Sequence, residues 1–95
     1  MATEVLNEPE SSRYVIIVDG VTKGFADYRI SGDTIVFPHT VIDPSERGQG
    51  LGAQLVAGAL DDVRSTGRKV VPTCWYVAQF IDEHPDYADL LTPRS

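Results

Sequence analysis

Ninety-five residues with 8 basic and 14 acidic side chains, a net charge of −6 and 42% apolar content describe one small acidic globular domain with no room for a second. The negative balance argues against nucleic acid as a main partner, because phosphate neutralisation dominates that affinity, and no apolar run approaches the roughly 20 residues of a membrane span. A single cysteine excludes an internal disulfide and a cysteine-based structural zinc site, and no cluster of His, Asp and Glu has metal-ligand spacing.

Residues 1–12 are acidic, with Pro9, Ser11 and Ser12 and little apolar content. They lack the basic start and apolar run of a signal peptide, so the chain is expected to be cytoplasmic, with 1–12 a flexible tail and 13–95 the domain. Arg13–Asp19 is a β-branched and aromatic run suited to a buried strand. Asp19-Gly20 supplies a two-residue hairpin turn, since both positions tolerate positive φ. A second strand runs from Val21 to Ile30, with Gly24, Ala26, Tyr28 and Ile30 on one side and Phe25 breaking the alternation. Ser31-Gly32-Asp33 turns the chain into a third strand, Thr34–Ile42. Pro38 cannot donate a ladder hydrogen bond and marks a bulge or an unpaired point there. Three antiparallel strands on short turns make a meander.

Pro44 stops that strand, and Arg47-Gly48-Gln49-Gly50-Leu51-Gly52-Ala53 follows. Glycines at every second position read as a loop, because each loses more backbone entropy in a regular element than any other residue. Behind the loop, Leu51, Leu55, Val56, Leu60 and Val63 fall on one face of a helix expected over Gly50–Thr66 and capped by Gly67. Gly58 inside that helix points to close packing on the sheet. A loop running into a helix N-terminus presents unpaired N–H groups and the positive dipole end, which together suit a phosphate. Turn geometry alone would also account for the glycines. A Walker loop is excluded because Gly52 is followed by Ala53-Gln54, and the glycine spacing is not that of the dinucleotide fingerprint.

Arg68–Thr73 reads as a fourth strand, parallel to the third after the helical crossover. Thr73 is the expected cap of a second helix, Trp75–Glu83, with Val77, Phe80, Ile81 and His84 on one side. Pro85 breaks it, and Asp86–Leu91 adds a last turn.

The chain resembles the GCN5-related N-acetyltransferases. The likeness is carried, in order, by Gly24-Phe25-Ala26-Asp27-Tyr28, by Pro38-His39-Thr40, by Arg47-x-x-Gly50-x-Gly52 matching the Q/R-x-x-G-x-G/A loop of that superfamily, by Pro72-Thr73-Cys74-x-Tyr76-Val77, and by His84-Pro85-x-Tyr87. It is most similar to a very small single-domain branch with a Pro-Thr-Cys motif, although Arg47 stands where that branch often has Glu. The resemblance implies a minimal α/β fold of this superfamily: the three-stranded meander, the glycine loop and helix, a fourth strand parallel to the third, and a C-terminal helix. It implies coenzyme A or acetyl-CoA as cofactor. The diphosphate would lie on Arg47, Gly48, Gln49, Gly50, Leu51, Gly52 and Ala53, and the pantetheine arm on backbone groups near Val41 and Ile42. The activity implied is acetyl transfer from acetyl-CoA to a primary amine of a small molecule or protein, by a monomer or weak homodimer. A coenzyme A sensor without turnover, or an adaptor using Trp75, Tyr76 and Phe80, are the competing readings.

Two side chains are candidates for the chemistry. Cys74 sits where the small branch carries a cysteine beside the acetyl group, and a nearby helix N-terminus favours a nucleophilic sulfur. The same residue after an apolar strand is equally a small buried hydrophobe. His39 is the candidate general base because imidazole titrates near neutrality, and strand alternation places it with Ile35, Phe37 and Val41, where it is otherwise a core histidine. Tyr76 contacts the cofactor, protonates the leaving thiolate, or is core. Arg68-Lys69 are candidates for the cofactor's 3′-phosphate.

Overall fold

A computed structural model of the chain describes residues 2–43 and 50–91. Residues Thr3–Glu8 form strand β1, paired antiparallel to β2 (Arg13–Val18) from Thr3↔Val18 to Glu8↔Arg13. A flexible tail is expected there, and the strand is a correction to that expectation. Its support is long-range: the Tyr28 hydroxyl donates to Asn7 Oδ1 at 2.7 Å, the Ala2 N–H donates to Asp19 Oδ1 at 2.9 Å while the Ala2 carbonyl accepts from the Asp19 N–H at 2.8 Å, and Val5 packs against Gly58 of a helix far along the chain. Local composition carries no trace of such contacts.

Asp19 and Gly20 take φ of 50° and 83°, the left-handed pair that a tight hairpin requires, and β3 (Val21–Ser31) returns along β2. The third turn leads to β4 (Thr34–Ile42), antiparallel to β3. The meander therefore has four strands rather than three. In β4 the register passes from Arg29↔Val36 to Asp27↔His39, so one extra residue is inserted at Phe37-Pro38. This is the bulge expected of Pro38, and it inverts the side-chain alternation. Ile35 and Phe37 face the core, but beyond the bulge that face is continued by Thr40, opposite buried Ala26, and by Ile42.

Helix α1 (Leu51–Thr66) lays Leu51, Leu55, Val56, Ala59, Leu60 and Val63 onto this face and ends at the left-handed cap Gly67. Each large aliphatic side chain so buried contributes about 1.5–3 kcal/mol. Gly58 sits over β1, where an added Cβ would lie 2.8 Å from Val5 Cβ. Strand β5 (Lys69–Val71) then pairs parallel to β4, from Thr34↔Lys69 to Val36↔Val71, completing a sheet of order β1-β2-β3-β4-β5. Helix α2 (Trp75–Glu83) and a 3₁₀ turn, Pro85–Leu90, close the chain. That turn is fastened to α1 by a forked pair, Arg64 to Asp89 at 2.6 and 3.0 Å, which holds the Asp89 carboxyl below its ordinary range. Asp61 accepts from Tyr87 and Asp62 from Tyr14, so the adjacent aspartates make two separate ties, as their helix positions imply. Among the described residues no helix is long and apolar enough to cross a membrane.

Candidate active site

Gly50 is the N-cap of α1 at φ 74°, a left-handed conformation that a side chain would strain, and among the described residues no side chain caps the helix. The first intrahelical bond described runs from the Gln54 N–H to the Gly50 carbonyl at 3.1 Å. The N–H groups of Leu51, Gly52 and Ala53 thus have no partner within the helix and share the positive dipole end. No acidic side chain stands in the first turn to compete for them. Gly52 is glycine for a different reason from Gly50: an added Cβ would collide with the Tyr76 hydroxyl and lie 2.9 Å from its Cζ. The Leu51 side chain belongs to the core, leaving only its main chain to the site. Arg47, Gly48 and Gln49, also singled out in the sequence, lie outside the described residues.

The parallel ladder of β4 and β5 stops at Val36↔Val71. One further bond crosses the gap, from the Cys74 N–H to the Phe37 carbonyl at 2.8 Å, and the Thr73 hydroxyl donates to that same oxygen at 3.2 Å. With Thr73 so engaged, the cap of α2 is Cys74, not Thr73. Beyond this point β4 continues to Ile42 while the chain after β5 turns into α2, so the two part. The Asp43 N–H bonds back to the Lys23 carbonyl at 2.7 Å. Antiparallel alternation then points the main chain of Val41 toward β3, and those of Thr40 and Ile42 into the parting. Of the two strand residues expected to hold a pantetheine arm, Ile42 turns its peptide groups into the parting and Val41 turns its own toward β3.

Cys74 is buried at 8% exposure, with its sulfur 3.7 Å from Thr40 Oγ1. Thr40 was not singled out from the sequence as a site residue. Counting one inserted residue at Pro38 would have found it. The same bulge moves His39. It is exposed and paired with Asp27 on the face turned away from α1, so it is neither in the core nor on the side of the sheet that carries Thr40. His84 ends α2, its Nδ1 2.8 Å from the Phe80 carbonyl and its ring stacked on Phe80 at 4.0 Å. Arg68-Lys69 follow the far end of the 16-residue α1, about 24 Å from its N-terminus, and Lys69 Nζ donates to the Asp89 carbonyl. They stand too far away to meet a 3′-phosphate whose diphosphate lies at Gly50. No group of three or more His, Cys, Asp or Glu suited to a metal occurs among the described residues.

Next to the first turn of α1, a groove of about 330 Å³ runs along α2, lined by Ala53, Trp75, Tyr76, Gln79, Phe80, Glu83 and His84. Trp75 is 73% exposed at its rim. An uncapped helix N-terminus, a parted pair of parallel strands and a thiol at the parting therefore share one end of the molecule.

A sequence model described as GCN5-related N-acetyl-transferase matches residues 13–90. The chain belongs to this family. Protein NATD1 from Bos taurus is 35% identical over 69 residues, 70% of this chain and 61% of that protein, so the chain spans about three fifths of the length of the curated relatives it matches. A GCN5-like protein from Staphylococcus aureus, solved in solution by NMR, has a TM-score of 0.72 at 18% identity and covers 97% of this chain and 90% of its own, which shows a shared fold over nearly the whole length. The GNAT family N-acetyltransferase YhbS from Escherichia coli, solved in complex with CoA, is 28% identical with a TM-score of 0.55, over 63% of this chain and 38% of its own. The GCN5-related fold implied by the sequence motifs is the fold observed, with β1 added at the edge.

Proposed function

We propose that this chain binds acetyl-CoA and transfers its acetyl group directly to a primary amine. The observation that carries the reading is the meeting of the uncapped N-terminus of α1 with the parting of β4 and β5 at Cys74. The N–H groups of Leu51, Gly52 and Ala53 suit a diphosphate, and the peptide groups of Thr40 and Ile42 suit the amides of a pantetheine arm. Membership of an acetyltransferase family and the CoA complex of YhbS support that ligand.

Bound acetyl-CoA supplies the activated carbonyl. The chain orients it in the parting, and main-chain N–H groups of β4 stabilise the negative charge that grows on the carbonyl oxygen. The amine nitrogen forms the new C–N bond as the C–S bond breaks, and the proton lost by the amine ends on the departing sulfur. Cys74 lines the acetyl end of the slot. The one hydrogen bond its sulfur makes among the described residues is to the Thr40 hydroxyl, which is no base, and this favours direct transfer over an acyl-cysteine route. His39, on the exposed face, can act as a base only for an acceptor arriving from that side.

Calorimetric titration with acetyl-CoA and with CoA tests the cofactor, and thiol release across an amine panel tests turnover. Intact mass after acetyl-CoA alone tests the route. Binding, thiol release and an unchanged mass are expected. A gain of one acetyl group that disappears in Cys74→Ala replaces direct transfer by a covalent route. Binding without thiol release makes the protein a sensor, and absence of binding overturns the reading.

A further inference from the structure

We propose that the groove beside Trp75 seats the adenine end of coenzyme A, with the indole as its stacking platform; this rests on the acetyl-CoA reading above. The groove begins at Ala53, in the same first turn of α1 whose N–H groups suit the diphosphate, so a nucleotide leaving that turn meets it at once. Trp75 is the only tryptophan of the chain and is 73% exposed, a large flat apolar surface left in water next to a phosphate site. Its orientation is built in. The Tyr76 ring meets it edge-on at 5.7 Å and 71°, and Tyr76 is itself seated on Gly52.

The charge along the groove sets the direction of the ligand. Its α1 end carries the positive helix terminus, whereas its other end carries the Glu83 carboxylate at the negative terminus of α2. Phosphates are held at the first end and repelled from the second, so the neutral base, not a phosphate, lies along α2. Gln79, one turn beyond Trp75, offers an amide that can donate to and accept from a base edge, and Glu83 can accept from an exocyclic amino group.

The single tryptophan makes the test direct. Tryptophan fluorescence is followed while CoA, 3′,5′-ADP or 4′-phosphopantetheine is added, and the affinities are measured in parallel by calorimetry. CoA and 3′,5′-ADP are expected to quench Trp75, and 4′-phosphopantetheine, which lacks the base, to leave it unchanged. Trp75→Ala should weaken CoA roughly tenfold, the size of one lost base stack, without changing the affinity for 4′-phosphopantetheine, and Trp75→Phe should restore most of the loss. CoA binding with unchanged affinity in Trp75→Ala and no quenching overturns this inference while leaving the acetyl-CoA reading intact. Quenching by a primary alkylamine and not by CoA overturns it in favour of an acceptor site. No CoA binding by calorimetry overturns both.

Discussion

Tyr14 is buried in the aromatic cluster it forms with Tyr28 and Phe37, yet its hydroxyl reaches the rim of α1 and donates to Asp62 Oδ2 at 2.6 Å. Burial, and then the hydrogen bond to the Asp62 carboxylate, raise the pKa of its hydroxyl well above the ordinary value near 10. The fold therefore binds that proton more tightly than the unfolded chain does, so the associated stability is intact below about pH 10 and is lost as the pH rises beyond it. Urea midpoints should fall as the pH rises above about 10, and Tyr14→Phe should flatten that fall while costing about 1 kcal/mol at neutral pH. A decline of equal steepness in the variant would assign the alkaline sensitivity elsewhere, Tyr87 on Asp61 being the other raised tyrosine. Gly52 offers a second residue-scale test. Gly52→Ala must push the Tyr76 ring aside, at a cost of about 1–3 kcal/mol, and should weaken CoA binding along with stability. Combined with Tyr76→Ala, which clears the space, the change should lose most of its effect on stability, whereas simple additivity would mean that the two residues do not press on each other.

Among the elements, those that the sequence announces are the ones held by local rules. Leu51, Leu55, Val56, Leu60 and Val63 repeat at helical spacing and all are buried, and α2 begins and ends at Trp75 and Glu83 as its period and Pro85 require. Asp19-Gly20 needs nothing beyond its own φ angles. What was not legible depends on partners distant in the chain. Thr3–Glu8 is a strand because β2 and Gly58 receive it, and Thr40 reaches Cys74 because one inserted residue at Pro38 reverses the alternation over which His39 was counted inward. The cap of α2 is Cys74 and not Thr73 because the threonine hydroxyl donates to the Phe37 carbonyl 36 residues earlier. The seat of β1 can be tested as an element. Alanine at position 58 improves helix propensity by about 1 kcal/mol, but its methyl must displace Val5. Gly58→Ala should therefore give a net loss of stability, with faster hydrogen exchange confined to the amides of β1 and the adjoining edge of β2. A net gain would show that β1 yields without cost and that the edge is loosely held.

At the scale of the molecule, an acidic protein is asked to hold an anionic cofactor. The excess of 14 acidic over 8 basic groups repels CoA at long range, and among the described residues the attraction comes from the short reach of helix-terminal N–H groups at Gly50–Ala53. For a cationic acceptor the same surface works in the opposite sense, raising its concentration near the site and its rate of encounter. The two substrates should therefore respond differently to salt. Between about 0.01 M and 1 M ionic strength the screening length shrinks from roughly 30 Å to roughly 3 Å, which removes the general field and spares contacts at hydrogen-bond distance. With CoA saturating, kcat/KM for a diamine should fall steeply over this range, because the second ammonium keeps its charge when the attacking amine is neutral. A monoamine should fall less, and a zwitterionic amino acid should change little. Meanwhile the KM for acetyl-CoA should hold steady or improve as the repulsion is screened. If the diamine, the monoamine and the zwitterion all respond alike, the negative surface serves solubility alone, and the acceptor is chosen by contacts inside the parting of β4 and β5.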